Sequence, residues 1–319
     1  MRTASRVSVP LAAILAMVLV QGAFAAAPAP VFDDAFWKAW GDGRAELAGY
    51  DLTTPRYGSL RHGTAVTIFV TETFSNTQRV KSDPGRHAKS DEFPVMKLNL
   101  VQDFPTGIYD YNLLTSAFVA LAAVNGRPAG APTKVSFSAQ EWCGHIYAQL
   151  LFDAASVRRV SHSYFDGEAD ESRSLPAPAN AVSEDALLIW ARGLAYPLLA
   201  PGQSVDVPLL RSLRASRLLH QPEVVQRARL SRSVRPERVS VPADALDCDV
   251  ATCAVEGGRT WTFWVEHAAP HRVAQWSCSD GERAQLLASD RLQYWKLNAE
   301  GMQSELAKLG LRARGPRMP

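Results

Sequence analysis

Apolar and polar residues alternate with a period of two along much of the chain. The pattern is clearest in residues 64–74, 224–231 and 260–266. In the first segment one predicted face carries Val66, Ile68, Val70 and Phe74, and the other carries Thr67, Thr71 and Thr73. Such alternation is typical of antiparallel strands that are buried on one face. We therefore predict a mainly β fold, a curved antiparallel sheet or half-barrel of about twelve strands.

Turn signals of the kind that close hairpins separate the predicted strands. They are the pairs Asn125-Gly126, Asp166-Gly167, Gly257-Gly258 and Asp280-Gly281. A few short helices are predicted to interrupt the strands, over Asp33–Trp40, Ser183–Gly193 and Asn298–Leu309. Ser183 can cap the second helix, whose first turn is acidic, and Gly310 can end the third.

The N-terminus has the pattern of a secretory signal peptide. Arg2 and Arg6 form a basic start, residues 7–20 are apolar, and small residues precede a cleavage site between Ala25 and Ala26. A membrane anchor is the alternative, but the apolar run is short for a bilayer span and contains a proline. We predict export to the periplasm or beyond, and no transmembrane anchor in the mature chain.

The charge balance argues against a nucleic-acid partner. The chain has 34 Lys and Arg against 32 Asp and Glu, and the predicted signal peptide contains two of the former and none of the latter. The mature chain is therefore formally neutral, whereas a nucleic-acid binder needs a basic surface. There is no phosphate-binding loop and no glycine-rich dinucleotide motif, so no cofactor is predicted.

The predicted organisation has five parts. Residues 1–25 are the signal peptide, 26–165 an N-terminal β region, and 166–182 a loop or linker rich in acids, Ser, Ala and Pro. Residues 183–311 form a C-terminal β region with short helices, and 312–319 a disordered tail. The pattern leaves open whether the two β regions form one domain or two.

Four cysteines in an exported protein predict at least one disulfide. They are Cys143, Cys248, Cys253 and Cys278. A bridge from Cys278 to Cys248 or Cys253 is favoured by proximity in sequence, and a small loop closed by Cys248 and Cys253 is the alternative.

Cys143 and His145, with Glu141 beside them, supply the parts of a nucleophile, a base and an orienting group. On a strand, residues i and i+2 share a face, so the thiol and the imidazole could meet. The alternative is a structural role at a strand junction, where Gly144 permits a bulge.

Two other groups are candidates for binding. His267 and His271, with Glu266, flank a predicted turn and form a weak candidate metal site, although the simpler interpretation is polar residues at a strand end. Arg227 and Arg229 share one face of a predicted strand and could hold an anionic head group, or could simply form a solvated face.

Eight tryptophans are present, and several lie near the C-terminus. Trp261, Trp264 and Trp276 are on or beside predicted strands. Core packing is the usual role of such residues, but an aromatic concave face would also suit an acyl or isoprenoid chain.

Three stretches carry a resemblance to known sequences: residues 93–121, the hexapeptide Gln140–His145 and the strands from Thr260 to Asn298. They resemble uncharacterised exported bacterial proteins, some of which are labelled septum formation inhibitor Maf. True Maf proteins are cytoplasmic α/β nucleotide pyrophosphatases, so that label does not fit a β-patterned chain with a signal peptide. The C-terminal part is also similar to an uncharacterised periplasmic β family, reminiscent of half-barrels that carry lipoproteins or lipids. Neither resemblance implies catalytic residues.

Two functional hypotheses follow. The first is a non-enzymatic binding protein of the cell envelope that holds an apolar or amphiphilic ligand, such as a lipid, in the concavity of its sheet. The second is a hydrolase or transferase centred on Cys143 and His145. A structural envelope component that binds protein through a sheet edge is a third possibility. A sheet filled by its own helix would count against the first hypothesis, and an unreactive Cys143 against the second.

Overall fold

The computed structural model describes residues 27–313. The predicted signal peptide lies outside the described residues, and so does most of the predicted tail. Within residues 27–313 there are sixteen strands, rather than about twelve. They are β1 (Ala45–Arg56), β2 (Ser59–Ser75), β3 (Glu92–Thr106), β4 (Tyr109–Ala120), β5 (Pro132–Glu141), β6 (Gly144–Phe152), β7 (Ser156–Ser163), β8 (Glu171–Pro176), β9 (Val182–Ser183), β10 (Ser204–Leu210), β11 (Val225–Arg232), β12 (Glu237–Val241), β13 (Asp244–Val255), β14 (Thr260–Glu266), β15 (Val273–Cys278) and β16 (Arg283–Leu292).

All sixteen strands belong to one open, curved sheet, which confirms the predicted fold class. The order is β8-β7-β6-β5-β4-β3-β2-β1-β16-β15-β14-β13-β11-β10-β9, and β12 pairs with β13 beside this path. The chain thus enters the sheet near its centre with β1 and proceeds strand by strand to β8 at one edge. It then crosses to β9 at the other edge and returns to the centre, where β16 pairs with β1. Every pairing is antiparallel except that of β9 with β10.

A tight turn explains why β1 pairs with β2. Between β1 and β2 only Tyr57 and Gly58 intervene, and both have positive φ, 55° and 72°. Two positive φ values in a two-residue loop are the geometry of a type I′ hairpin turn, which matches the twist of the flanking strands. β1 therefore pairs with β2 from Glu46 to Arg56.

One continuous hydrophobic core covers the inner face of the sheet. It joins side chains of both halves of the chain, such as Tyr50, Phe137 and Trp276. The central strands are buried on their outer face as well, where Ile68 and Val70 pack with Leu309 of the C-terminal segment. The predicted two-faced pattern of residues 64–74 is therefore incomplete, because the sheet has a second layer over part of its outer surface.

The helices are short. They are α1 (Asp34–Trp40), α2 (Leu187–Ala191) and α3 (Leu213–Leu219), with 3-10 helices over Lys89–Asp91, Glu184–Ala186, Tyr294–Lys296 and Met302–Leu309. The first two predicted helices are present in shortened form, the third is a 3-10 helix, and α3 was not predicted. The side chain of Asp33 caps α1 by accepting the Phe36 N–H at 3.0 Å. No helix among residues 27–313 is long and apolar enough to cross a membrane.

The segment predicted as a loop or linker, residues 166–182, contains an edge strand. β8 pairs with β7 from Glu171 to Pro176. The chain then turns inward, and Ala177, Ala181 and Val182 are buried in the shared core. Their small or apolar side chains fit this path, since the Ala/Pro composition carries no charge into the interior.

Candidate functional site

The concave side of the sheet is filled by the chain itself. The plug, residues 184–199, consists of a 3-10 turn, α2 and the loop that follows, and most of its apolar side chains belong to the core. Trp190 anchors the plug internally, since its indole N–H donates to the Pro197 carbonyl at 2.9 Å. The apolar run Leu187–Ala191 is buried on all sides, which explains why so short a helix is stable here.

A cavity of about 50 Å³ remains between the plug, the N-terminus of α3 and the inner face of the sheet. Its apolar walls are Leu100, Leu187, Leu188, Trp261, Phe263 and Trp276. Its polar lining is Thr115, Glu184, Asp185, Ser212, Arg214 and Glu282. Leu100, Asp185 and Trp261 are only half-buried, which places the accessible end of the cavity at these residues. The site therefore combines an aromatic wall with three carboxylates.

Two of the three carboxylates are neutralised by arginines. Glu184 accepts the Trp261 indole N–H at 2.8 Å and forms an ion pair with Arg259 at 2.5 Å. Glu282 accepts the Trp276 indole N–H at 3.0 Å and forms an ion pair with Arg214 at 2.6 Å. Because each carboxylate has a guanidinium and an indole donor, both satisfy the requirement that buried charges be paired.

The third carboxylate, Asp185, has no cation within 4 Å among the described residues. Its Oδ2 accepts the Leu213 N–H at 3.1 Å, at the start of α3. Burial raises the pKa of Asp185 to about 7, and the charge of Glu184 adds to the rise. A carboxyl group that titrates near neutral pH and faces a cavity is the most distinctive chemical feature of this site.

The predicted ligand-binding residues divide between the two faces of the sheet. Trp261 and Trp276 lie together in the cavity wall. Trp264 lies elsewhere, and its indole N–H donates to Glu237 at 3.3 Å. Odd spacing along β14 explains this, because residues three apart on a strand face opposite ways.

Arg227 and Arg229 do not approach the cavity. Both are exposed on β11, where they pair with Asp206 of the neighbouring strand at 2.6 and 3.5 Å. They form the solvated strand face that was the alternative interpretation. The arginine that reaches the cavity is Arg214, because α3 carries this part of the arginine-rich segment, residues 211–238, inward.

The arrangement around Cys143 disfavours a nucleophilic thiol. Cys143 lies exposed in the two-residue turn between β5 and β6, and the Cys143 N–H donates to the carboxylate of Glu141 at 3.2 Å. A hydrogen bond of the Cys143 thiol itself with the Glu141 carboxylate, and the negative charge of Glu141, raise the pKa of the Cys143 thiol. His145 is exposed on β6, paired with Gln140 across the hairpin. A nucleophilic cysteine needs surroundings that stabilise its thiolate, whereas Glu141 destabilises the thiolate of Cys143.

His267 and His271 also have separate partners. His267 Nδ1 lies 3.0 Å from the Asp249 carboxylate, and His271 Nδ1 lies 3.1 Å from the Glu266 carbonyl oxygen. Among residues 27–313 no three His, Cys, Asp or Glu side chains are grouped so that they could hold a metal ion.

All four cysteines are free thiols, so none of the predicted disulfides is formed. Cys253 and Cys278 pair with the same residue, Trp261, from opposite sides. Because β14 lies between the strands of these two cysteines, their Cα atoms are two inter-strand distances apart, about 9.5 Å. A disulfide spans at most roughly 7 Å between Cα atoms. Cys248 and Cys253 are five residues apart on one strand and face opposite ways.

Sequence reasoning missed Glu184, Asp185, Arg214 and Glu282 as site residues. The sequence predicts only that the two adjacent acids after Ser183 lie in the first turn of a helix. The sequence does contain a signal that these acids are near the core. They closely precede the fully apolar run Leu187–Ala191, and a helix that is apolar on all sides is buried. An acidic first turn on a buried helix is itself buried and needs partners.

Comparisons with known proteins identify no family for this chain. No family model matches the chain, and no curated protein matches it, so the Maf label finds no support. One solved structure, titled as a β-barrel-like protein of the domain of unknown function DUF1849 from Brucella abortus, is similar at a TM-score of 0.44 and 11% identity. The match covers 78% of this chain and 98% of that chain.

Proposed function

We propose that this chain is an exported, non-enzymatic binding protein of the cell envelope, and that its ligand is a small amphiphilic cation such as a primary amine. The observation that carries the proposal is Asp185, a carboxyl group without a cationic partner at the accessible end of an apolar-walled cavity. A ligand ammonium would supply the missing charge. Export rests on the sequence of residues 1–25.

The walls of the cavity support an amphiphilic rather than a fully polar ligand. Trp261, Phe263 and Trp276 present aromatic surface from the sheet, and Leu187 and Leu188 present aliphatic surface from the plug. The two indole N–H groups are occupied by Glu184 and Glu282, so the rings offer contact area without unsatisfied donors. An alkyl chain would pack here while its head group lies at Asp185.

The volume sets the size of the ligand. A single water molecule requires about 10–15 Å³ on this measure, so a cavity of about 50 Å³ accepts a molecule of only a few non-hydrogen atoms. An acyl or isoprenoid chain exceeds this space, because the plug occupies the rest of the concavity. The proposal therefore replaces the predicted lipid with a small amphiphile.

The test uses three probes of similar size: n-butylamine, n-butanol and butyrate. Trp261 and Trp276 each have an indole N–H in the cavity, so ¹H–¹⁵N spectra of tryptophan-labelled protein report binding directly. At pH 8, where Asp185 is ionised, we expect butylamine to shift these two indole signals and to bind at least tenfold more tightly than the alcohol or the acid. The exposed Trp295 provides an internal control.

Two variants complete the test. Asp185→Asn is expected to weaken butylamine binding at least tenfold, whereas Asp51→Asn, at an exposed position of β1, leaves it unchanged. Equal binding of the three probes, or butylamine binding that survives Asp185→Asn, would show that Asp185 is not the recognition element.

A further inference from the structure

A second cavity, of about 220 Å³, lies between strands β6–β8 and the opposite face of α3. Its charged lining is Arg159, Glu168, Glu171, Arg173, Arg217, His220 and Glu223. Ile146, Ala148, Leu213 and Pro222 form its apolar lining. Nothing in the proposed function involves this cavity, since Leu213, Ser216 and Arg217 face it while Arg214 faces the amine site.

Most of the charges in this cavity neutralise one another. Glu223, which is 3% exposed, pairs with Arg159 at 2.7 Å and with Arg173 at 2.5 Å. Glu171 pairs with the same two arginines from the solvent side, at 2.5 and 3.4 Å. Two guanidinium groups thus balance two carboxylates, and this part of the lining has no excess charge.

Glu168 belongs to a separate hydrogen-bond chain. His220 Nδ1 lies 2.9 Å from Glu168 Oε1, so the ring donates its Nδ1–H to that carboxylate. His220 Nε2 lies 3.4 Å from Nη1 of Arg217. Arg217 therefore contacts a ring nitrogen rather than a carboxylate.

Arg217 has no carboxylate in direct contact. Its side chain is buried, at 7% residue exposure, and its guanidinium carbon lies 3.9 Å from the centre of the Phe165 ring. No carboxylate of the described residues lies within 4 Å of it, in contrast to Arg159 and Arg173. Arg217 lines the cavity, and the Phe165 ring covers one face of its guanidinium.

We propose that this second cavity binds a small organic monocarboxylate, with Arg217 as its anchor. A planar guanidinium matches a carboxylate, which it can hold by two parallel hydrogen bonds. A ligand carboxylate would give Arg217 the direct anionic partner that it lacks, and the nearby Glu168, Glu171 and Glu223 oppose a phosphate dianion. The apolar body of the ligand would lie against Ile146, Ala148 and Leu213.

Benzoate is a suitable probe because it is flat, singly charged and smaller than the cavity. Benzamide is its uncharged isostere, and inorganic phosphate tests the choice of anion. Backbone ¹H–¹⁵N spectra of the full chain locate binding. We expect benzoate to shift the amide signals of residues 216–221 and of Glu223, and to bind at least tenfold more tightly than benzamide.

The variant Arg217→Gln is expected to weaken benzoate binding at least tenfold. Arg235→Gln, which changes an exposed arginine after β11, serves as the matched control and leaves binding unchanged. Because Arg217 is buried, its variant requires a circular dichroism spectrum like that of the wild type. The comparison of benzoate with benzamide on the wild-type chain needs no variant.

Three results would each overturn the proposal: benzamide binding as tightly as benzoate, benzoate binding that persists in folded Arg217→Gln, or displacement of benzoate by an equal concentration of phosphate. Failure here is distinguishable from failure of the amine proposal. The amine test reports on the Trp261 and Trp276 indoles, whereas this one reports on amides of α3 and the loop after it.

Discussion

Replacing Asp185 by Asn is expected to stabilise the folded protein at pH 8 and to leave its stability almost unchanged at pH 4. Burial raises the pKa of Asp185 from its ordinary 3.8 to about 7. Between these values the folded chain retains a proton that the unfolded chain has lost. The free energy of unfolding of the wild type therefore falls as the pH rises through this window, and the loss is complete above about pH 7.

The size of the effect follows from the two pKa values. A difference of about three pH units, at ~1.4 kcal/mol for each unit, gives an upper limit of ~4 kcal/mol. Asn carries no charge at any pH, and its side-chain oxygen can still accept the Leu213 N–H that Asp185 now accepts. The variant avoids the cost of burying an unpaired charge while it keeps the hydrogen bond at the start of α3.

Urea unfolding at pH 4, 6 and 8 measures this directly, with Asp51→Asn as the control. Groups remote from Asp185 titrate equally in wild type and variant, so the difference between the two free energies reports Asp185 together with its coupling to Glu184. We expect a difference that grows with pH for Asp185→Asn and stays within about 0.5 kcal/mol for the exposed control. A difference that is constant with pH, or that shrinks as the pH rises, would refute the reasoning. A residue that lowers stability in the free protein is consistent with a role in binding.

Three further predictions concern other parts of the chain. Glu282→Ala leaves the buried guanidinium of Arg214 and the indole N–H of Trp276 without their acceptor. We expect the free energy of unfolding, measured in urea, to fall by about 3–5 kcal/mol. A loss below about 1 kcal/mol would mean that solvent reaches these two groups. Glu141→Gln removes the charge that raises the pKa of the Cys143 thiol, so alkylation of Cys143 by iodoacetamide at pH 7.5 is expected to accelerate, and an unchanged rate would contradict the stated cause. Gly49→Ala places a Cβ against the Leu309 carbonyl oxygen. We therefore expect faster trypsin cleavage of the C-terminal 3-10 helix and a loss of about 1–3 kcal/mol in the free energy of unfolding. Resistance to trypsin equal to that of the wild type would show that the contact can relax.

The local pattern of this sequence determined the class of the fold. Period-two alternation predicted the antiparallel sheet, and β14 occupies the predicted segment Thr260–Glu266. The stop at Gly310 lies where the residue type predicted it, although the side chain of the predicted cap, Ser183, makes no capping hydrogen bond. These features depend on neighbours in sequence, and steric and hydrogen-bond preferences at that range can be derived from residue types alone.

Tertiary structure decided which residues form the sites. Trp261 and Trp264 have the same residue type and nearly the same position, yet only the first faces the cavity, because the curvature of the sheet defines an inside. Arg214 and Arg217 belong to the same arginine-rich stretch as Arg227, but α3 turns them inward, one to each cavity, while β11 keeps Arg227 in solvent. Whether a charge is paired is set by side chains that are more than fifty residues away, as for Glu282 and Arg214. That information is not local, and so the alternation of polar and apolar residues could predict the sheet but not its two cavities.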